Sequence, residues 1–161
     1  MEACVIRSGH TFDSVRLAEL TRQFFPYLHL SADAIFDRMK NGVQYLVLEK
    51  NGALLGFVDF EYTSEPNARH KTAENPPLHA QKAAKILGLC VVPEFQGKGF
   101  GKKLFMAALN EASRYSNQVV VLVEESNAKA IRLYESAGFK RHGKLAEKLW
   151  DRDVLMYTKT L

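Results

Sequence analysis

The sequence predicts an α+β fold of three layers, in which a mixed, mostly antiparallel sheet of about seven strands is flanked by about four helices. Two observations support this prediction. Apolar runs at Leu87–Val92 and Gln118–Glu124 each precede a helical pattern. Two further apolar runs flank Asn51-Gly52, a strong two-residue hairpin signal. At 161 residues the chain is expected to form one domain, over residues 1–161, with a real hydrophobic core.

The first predicted helix follows a short strand near Ala3–Arg7. Thr11 is a suitable N-cap, and the helix is expected to end before Pro26, because proline cannot continue it. The apolar face of this helix is predicted to be buried and contains Val15, Ala18 and Phe25.

A second helix is predicted to begin at Ser31 and to close at Asn41-Gly42. Tyr45–Glu49 and Ala53–Tyr62 then form the strands of the hairpin. The region of these helices carries a set of aromatic side chains, which either pack in the core or line a pocket: Phe24, Phe25, Tyr27, His29 and Phe36.

Residues 63–81 are polar, contain three prolines and show no periodicity, so they are predicted to form a long loop between antiparallel strands. The position of this loop before the central strand fits either a lid over a substrate or a merely mobile segment. His70 and His79 lie in the loop and are interpreted as surface histidines.

The stretch from Leu87 to Leu109 organises the predicted fold. Its apolar beginning indicates a buried strand, which Pro93 ends because proline has no N–H to give to the sheet. Gly97, Gly99 and Gly101 follow within five residues, and a helix comes after them. The apolar stripe of that helix contains Phe105, Ala108, Leu109 and Ala112.

This order of strand, glycine turn and helix predicts a phosphate-binding site. Glycine allows positive φ and lets a ligand lie on the main chain. The first amides of a helix have no internal acceptor and lie at the positive end of its dipole. The spacing excludes a nucleotide P-loop and differs from the dinucleotide fingerprint. A plain tight turn is the alternative.

A second strand and helix repeat this order. Gln118–Glu124 is predicted to be a strand buried on both faces. Asn127 is a suitable N-cap for the next helix, which Gly138 ends in a left-handed conformation. Phe139–His142 and Val154–Thr160 are predicted to be the closing strands.

The composition of the chain indicates which kinds of partner and which cellular compartment to expect. The 22 basic and 18 acidic residues give a net charge of +4, too small and too evenly spread for a nucleic-acid surface. Cys4 and Cys90 lack metal-ligand spacing, so no metal and a reducing interior are expected. No apolar run resembles a signal peptide or a membrane span. We therefore expect a cytoplasmic protein without nucleic-acid or membrane partners, and a homodimer is left open.

Two motifs resemble those of the GNAT superfamily of acyl-CoA-dependent N-acetyltransferases. The first, similar to the acyl-CoA motif Gln/Arg-x-x-Gly-x-Gly/Ala, consists of Gln96, Gly99 and Gly101 behind Val91-Val92-Pro93. The second consists of Asn127, Ala130, Leu133, Tyr134, Gly138 and Phe139. The resemblance covers nearly the whole chain, although only Leu87–Leu109 and Glu124–Phe139 are specific. It implies transfer of an acetyl group from acetyl-CoA to a primary amine by direct attack in a ternary complex.

The resemblance also implies the residues that bind acetyl-CoA. Backbone groups of the central strand pair with the pantetheine arm, and an amide near Val91 polarises the thioester carbonyl. Backbone amides of the glycine turn hold the pyrophosphate, with added charge from Lys98, Lys102 and Lys103. The implied cofactor-binding set is Leu89, Cys90, Val91, Gln96, Gly97, Lys98, Gly99, Phe100, Gly101, Lys102 and Asn127.

The implied chemistry needs a general acid and a general base. Tyr134 matches the family residue that protonates the departing thiolate. Leu122 and Lys85 stand where different members of the family carry a glutamate base. Glu124 has the same side-chain parity as Leu122 and is the candidate base, with Glu61 or a water relay as alternatives.

The acceptor stays open among protein N-termini, lysines and small amines. A non-catalytic acyl-CoA-binding regulatory module on the same fold is the alternative function. Tyr134 favours the enzyme, whereas the missing glutamates favour the module.

Overall fold

The computed structural model describes residues 3–63 and 83–161. These residues form seven strands and four α-helices, namely β1 (Val5–Ser8), α1 (Ser14–Phe24), α2 (Ala32–Lys40), β2 (Gln44–Lys50), β3 (Ala53–Thr63), β4 (Ala83–Val91), α3 (Phe100–Ala112), β5 (Gln118–Glu124), α4 (Ala128–Ser136), β6 (Lys140–Lys144) and β7 (Val154–Thr160). The strands form one sheet in the order β1-β2-β3-β4-β5-β7-β6, which is mostly antiparallel with β4 and β5 parallel. The predicted fold class is confirmed.

The predicted loop over residues 63–81 lies outside the described residues except for Thr63, which ends β3. His70 and His79 therefore also lie outside them.

The chain divides into two compact units. The first contains Met1–Glu61 and Gly88–Asn110, and the second contains Tyr62–Leu87 and Glu111–Leu161. The chain passes from the second unit to the first within β4.

The first unit is built on the hairpin of β2 and β3. Asn51 and Gly52 adopt φ values of +52° and +78°, as the predicted two-residue turn requires. β1 pairs antiparallel with β2. Helices α1 and α2 contribute to the hydrophobic core of this unit, whose buried members include Leu17, Leu20, Ile35, Val47 and Phe57.

The start of α1 differs from the prediction. Residues 11–13 form a 3-10 turn, and α1 begins at Ser14. The carboxylate of Asp13 accepts hydrogen bonds from the backbone amide of His10 at 2.8 Å and from the guanidinium of Arg7 at 2.9 and 3.0 Å. Thr11 is therefore not the cap of α1, because the buried aspartate organises this turn instead.

The buried face of α1 was predicted in part. Ala18 is buried, and Phe25 is partly buried against the core. Val15 is 65% exposed, so its predicted burial is wrong. Leu17 and Leu20 lie on the opposite face of α1 from Val15, and these two leucines are buried in the core.

The second unit contains the parallel pair of β4 and β5. Their register runs from Ala83↔Gln118 to Ile86↔Val121, and β5 pairs antiparallel with β7 along its whole length. Val119, Val120, Val121 and Val123 are buried, as predicted for a strand covered on both faces. Helix α4 begins and ends at the predicted residues, since Asn127 caps it and Gly138 adopts φ +90°.

Candidate active site

The predicted site residues fall into two sets, one in each unit. The first unit holds Leu89, Cys90, Val91, Gln96, Gly97, Lys98, Gly99, Phe100, Gly101 and Lys102. The second holds Glu124, Asn127 and Tyr134.

The turn between β4 and α3 presents six consecutive backbone amides. Gly97 and Gly99 adopt φ values of +74° and +85°, which favour glycine. The amide of Lys103 donates to the carbonyl of Gly99 at 3.1 Å and begins the helical ladder of α3. Within the part of the chain that the structure describes, the amides of residues 97–102 donate to no protein acceptor. Such a run of donors at a helix N-terminus suits a phosphate group.

Gly101 is not required by the protein itself. It lies in the first turn of α3 without a positive φ, and an added Cβ would meet no atom within 4 Å. Glycine at a helical position costs about 1 kcal/mol relative to alanine. The open space beside Gly101, like that beside Gly97 and Gly99, is therefore space that a bound molecule can use.

Three lysines surround two aromatic rings at this turn. The Nζ atom of Lys98 lies 5.1 Å from the ring centroid of Phe95, and that of Lys50 lies 5.7 Å from the same centroid. Lys103 lies 5.3 Å from the ring centroid of Phe100. These cation–π contacts keep positive charge beside the amide run.

Gln96 is used within the protein. Its Nε2 atom donates to the backbone carbonyl of Val91 at 2.7 Å. The backbone amide of Val92, the residue after Val91, donates to the carbonyl of Leu55 at 2.8 Å. These two bonds fix the end of β4. Gln96 was predicted to bind the cofactor, and that role stays a prediction, because the hydrogen bond seen here is made to the protein's own backbone.

The last residues of β4 extend past its pairing with β5. That register ends at Ile86, whereas β4 continues to Val91. Cys90 is buried, and its burial raises the pKa of the thiol to about 12, so the thiol is neutral near pH 7. Cys90 therefore presents no reactive thiolate near pH 7, and a binding role of Leu89–Val91 would rest on their backbone groups.

Tyr134 lies on α4 and is 7% exposed. Its ring centroid is 6.1 Å from that of Phe139, and burial raises the pKa of its hydroxyl to about 12. The phenol is therefore protonated at neutral pH and can donate a hydrogen bond. Complete proton transfer to a thiolate of pKa about 8.5 is uphill by roughly 3.5 pKa units, or about 5 kcal/mol, so hydrogen-bond donation is the easier role.

Asn127 and Glu124 both have protein partners. The Oδ1 atom of Asn127 accepts the amide of Ala130 at 3.1 Å, so its side-chain nitrogen is not part of the helix cap. Oε1 of Glu124 lies 2.6 Å from Nη1 of Arg152, and the Glu124 side chain is 29% exposed. If Glu124 acts as the base, it would accept the proton while its carboxylate is paired with the guanidinium of Arg152.

Sequence reasoning missed a buried cluster in the first unit. Asp59 on β3 is 3% exposed, and Nη2 of Arg38 donates to its Oδ2 atom at 2.9 Å. Nη1 of Arg38 donates to the hydroxyl of Tyr45 at 3.0 Å. Burial raises the pKa of Asp59 to about 6, although Arg38 opposes the shift. The available signal was one acidic residue within the apolar run Phe57–Phe60.

Neither a cluster of metal-ligating side chains nor a helix that could cross a membrane occurs among residues 3–63 and 83–161. No three His, Cys, Asp or Glu side chains among them are grouped so that they could hold a metal ion. None of the helices formed by these residues has the length and apolar character needed to cross a membrane.

Sequence comparisons identify the family. The model of the Acetyltransferase (GNAT) family matches residues 13–139. A mycothiol acetyltransferase of Thermobispora bispora is 34% identical over 112 residues, which are 69% of this chain and 32% of that protein. An L-methionine sulfoximine/L-methionine sulfone acetyltransferase of Salmonella typhimurium is 33% identical over 100 residues, 61% of this chain and 51% of that protein. The chain thus spans about a third of the first relative and about half of the second.

Solved structures share the fold. NAA60 of Arabidopsis thaliana in complex with acetyl-CoA superposes with a TM-score of 0.77 at 18% identity, covering 99% of both chains. The ribosomal-protein-S18-alanine N-acetyltransferase of Escherichia coli gives 0.75 at 21% identity, covering 98% of this chain and 94% of that one. These likenesses show the fold, and the family match over residues 13–139 shows that the chain belongs to the GNAT family of acetyltransferases.

Proposed function

We propose that the protein is an N-acetyltransferase that transfers an acetyl group from acetyl-CoA to a primary amine. The observation that carries this proposal is the run of amides at residues 97–102, which donate to no acceptor among the described residues. The pyrophosphate of CoA supplies the oxygen atoms that such donors need. Family membership and the complex of NAA60 with acetyl-CoA support the choice of this donor.

The rest of the cofactor is assigned to the remaining predicted residues. In this proposal the pantetheine arm adds to the backbone of Leu89–Val91, and the amide near Val91 polarises the thioester carbonyl. The side-chain nitrogen of Asn127 donates to the arm, because the oxygen of that side chain caps α4.

The proposed reaction is direct attack by a neutral amine. The nitrogen lone pair forms a bond to the thioester carbon, the carbon–sulfur bond breaks, and the sulfur leaves as a thiolate. Tyr134 donates a hydrogen bond to that sulfur as negative charge develops on it. The proton lost by the amine passes to Glu124 or to water, and a proton finally neutralises the thiolate, so that the products are an amide and CoA.

Release of CoA in the presence of a panel of amines tests this proposal. The panel consists of L-methionine sulfone, spermidine and a peptide with a free N-terminal alanine. Each is chosen because an acetyltransferase similar to this chain is named for that kind of acceptor. We expect CoA release and a product carrying one added acetyl group with at least one amine. Binding of acetyl-CoA without acetylation of any amine would favour the alternative, a non-catalytic acyl-CoA-binding module.

We also propose a cytoplasmic location for the protein. Cys4 and Cys90 are free thiols, and a reducing compartment keeps thiols in that state.

A further inference from the structure

The ion pair of Asp59 and Arg38 is not explained by the stability of the first unit. The Asp59 side chain is 4% exposed and that of Arg38 is 25% exposed. Removing these charges from water costs several kcal/mol per ion, and a buried pair often contributes no more stability than apolar residues of the same volume. The reason for the pair therefore lies in what the carboxylate holds in place.

The Asp59 carboxylate joins three strands and a helix. Arg38 connects it to α2, and the same guanidinium binds the hydroxyl of Tyr45, whose Cα is the register partner of Asp59 on β2. On β4, the backbone of Gly88 forms a hydrogen bond with the carboxylate and favours its ionised form. A Cβ added at Gly88 would lie 2.8 Å from Oδ1 of Asp59, so glycine leaves room for the carboxylate.

Among the described residues of this cluster, Asp59 is the group whose charge changes with pH near neutrality. Arg38 is the charged group that acts on it among the described residues. Tyr45 on β2 and Cys90 on β4 are neutral near pH 7, because burial raises the pKa of both groups. The aromatic ring of Phe25, which follows α1, lies 3.5 Å from the position of a Cβ at Gly88 and carries no charge. Between pH 5 and pH 8, ionisation of Asp59 is therefore the change within this cluster.

We propose that the ionised carboxylate of Asp59 is a positioning group that holds Gly88–Val91 of β4 in the geometry that acetyl transfer requires. This inference rests on the proposed function, which places the thioester against the backbone of Leu89–Val91. Gly88 directly precedes that segment and has no side chain of its own to anchor it. The carboxylate supplies the anchor through the Gly88 backbone, and Arg38 keeps the carboxylate ionised and in place.

The pH dependence of the Asp59→Asn variant tests this proposal. Both proteins are assayed at the same pH with saturating acetyl-CoA and the fastest amine of the panel, so ionisation of the amine cancels in the ratio of their kcat/KM values. We expect the parent to exceed the variant at least about tenfold at pH 8. The ratio should fall about tenfold by pH 5, because the ionised fraction of a group with a pKa of about 6 falls by that factor. Affinity for acetyl-CoA should change less than about threefold. A ratio that is constant from pH 5 to pH 8 would show a merely structural role and overturn the proposal.

The control variant is Asp13→Asn. Asp13 is also a buried aspartate paired with an arginine in the first unit, but Arg7 outweighs the effect of burial and holds the pKa of Asp13 below its usual 3.8. Its ratio to the parent should stay constant between pH 5 and pH 8.

A titration of the unmodified protein gives an independent test that needs neither turnover nor a folded variant. The proton and nitrogen shifts of the Gly88 amide, measured by NMR without acetyl-CoA, should follow one ionisation with a midpoint near pH 6. Shifts without an inflection between pH 5 and pH 7 would contradict the anchor. Because this measurement requires no catalysis, it separates failure of the anchor from failure of the proposed function.

Discussion

The side-chain nitrogen of Gln96 donates a 2.7 Å hydrogen bond to the backbone carbonyl of Val91. The first residue of the glycine motif thus holds the last residue of β4 by a hydrogen bond, at the place where the thioester is proposed to lie. A residue at this position needs a donor of sufficient length, and both glutamine and the arginine that the family motif allows have one. Gln96 would then affect acetyl-CoA through the strand rather than by direct contact.

Variants of Gln96 separate these two roles. Gln96→Leu removes the donor and should weaken acetyl-CoA binding by about tenfold, the equivalent of one lost hydrogen bond of about 1.4 kcal/mol. Gln96→Arg keeps a donor and should bind within about threefold of the parent. Calorimetric titrations measure both affinities, and thermal melts report on folding. Full affinity in Gln96→Leu would show that the bond to Val91 is dispensable.

Replacement of Tyr134 by phenylalanine tests the proposed hydrogen bond from its hydroxyl to the leaving sulfur. Phenylalanine keeps the packing against Phe139 but removes the hydroxyl, so turnover should fall at least about tenfold while affinity for acetyl-CoA is nearly unchanged. Because burial raises the pKa of Tyr134 to about 12, the loss should be the same at pH 7 and pH 9. Equal turnover of parent and variant at several pH values would reject a role for the hydroxyl.

Asp59 should make the protein less stable as the pH rises. Burial raises its pKa from the usual 3.8 to about 6, so the folded state binds more protons than the unfolded state between these values. At about 1.4 kcal/mol per pKa unit, its contribution to the free energy of unfolding should therefore fall by about 2 kcal/mol between pH 4 and pH 6. Urea unfolding of the parent and of Asp59→Asn measures the difference at each pH. Parallel stability profiles would contradict this sign.

Asp13 has the opposite linkage. Burial raises its pKa, but the hydrogen bond and charge of Arg7 outweigh burial and lower it below 3.8. The stability from this pair is present above pH 4 and should be lost as the pH falls through the pKa of the folded state. In the same urea measurements, the difference between the parent and Asp13→Asn should be constant from pH 5 to pH 7 and shrink below pH 4.

Gly138 should be a structural residue of the second motif. It adopts φ +90° after α4, and the three atoms nearest to an added Cβ would belong to the side chain of Lys159, the first of them at 3.4 Å. Gly138→Ala should therefore lower the free energy of unfolding by about 1 kcal/mol through backbone strain and leave affinity for acetyl-CoA unchanged. Urea unfolding and calorimetry measure the two effects. A large loss of affinity with unchanged stability would give Gly138 a binding role instead.

Local signals predicted those features in which one residue type determines the backbone. Asn51-Gly52 fixed the hairpin, Asn127 and Gly138 fixed the ends of α4, and Gly97 and Gly99 marked the turn that presents the amides. The requirement for positive φ or for a side-chain cap acts within a few residues, so it can be read without knowing the fold.

Features that depend on contacts distant in sequence could not be predicted. Helix α1 starts at Ser14 because Arg7 on β1 binds Asp13. The partners of Asp59 lie on α2 and β4, so they could not be predicted without the register of the strands. A single domain over residues 1–161, the base Glu124 and a homodimer stay predictions.

Calorimetric titration with acetyl-CoA tests the central claim, that the amides of residues 97–102 bind the pyrophosphate. The parent should bind one molecule of acetyl-CoA. CoA and ATP are the control ligands, and ATP should give no binding heat. Gly101→Glu should abolish binding without unfolding, since a Cβ at Gly101 meets no protein atom within 4 Å while the longer, charged side chain would occupy the phosphate position. Gly101→Ala is the matched control, and its helix should be more stable by up to about 1 kcal/mol. Unchanged affinity in a folded Gly101→Glu variant, or no binding by the parent, would contradict the account.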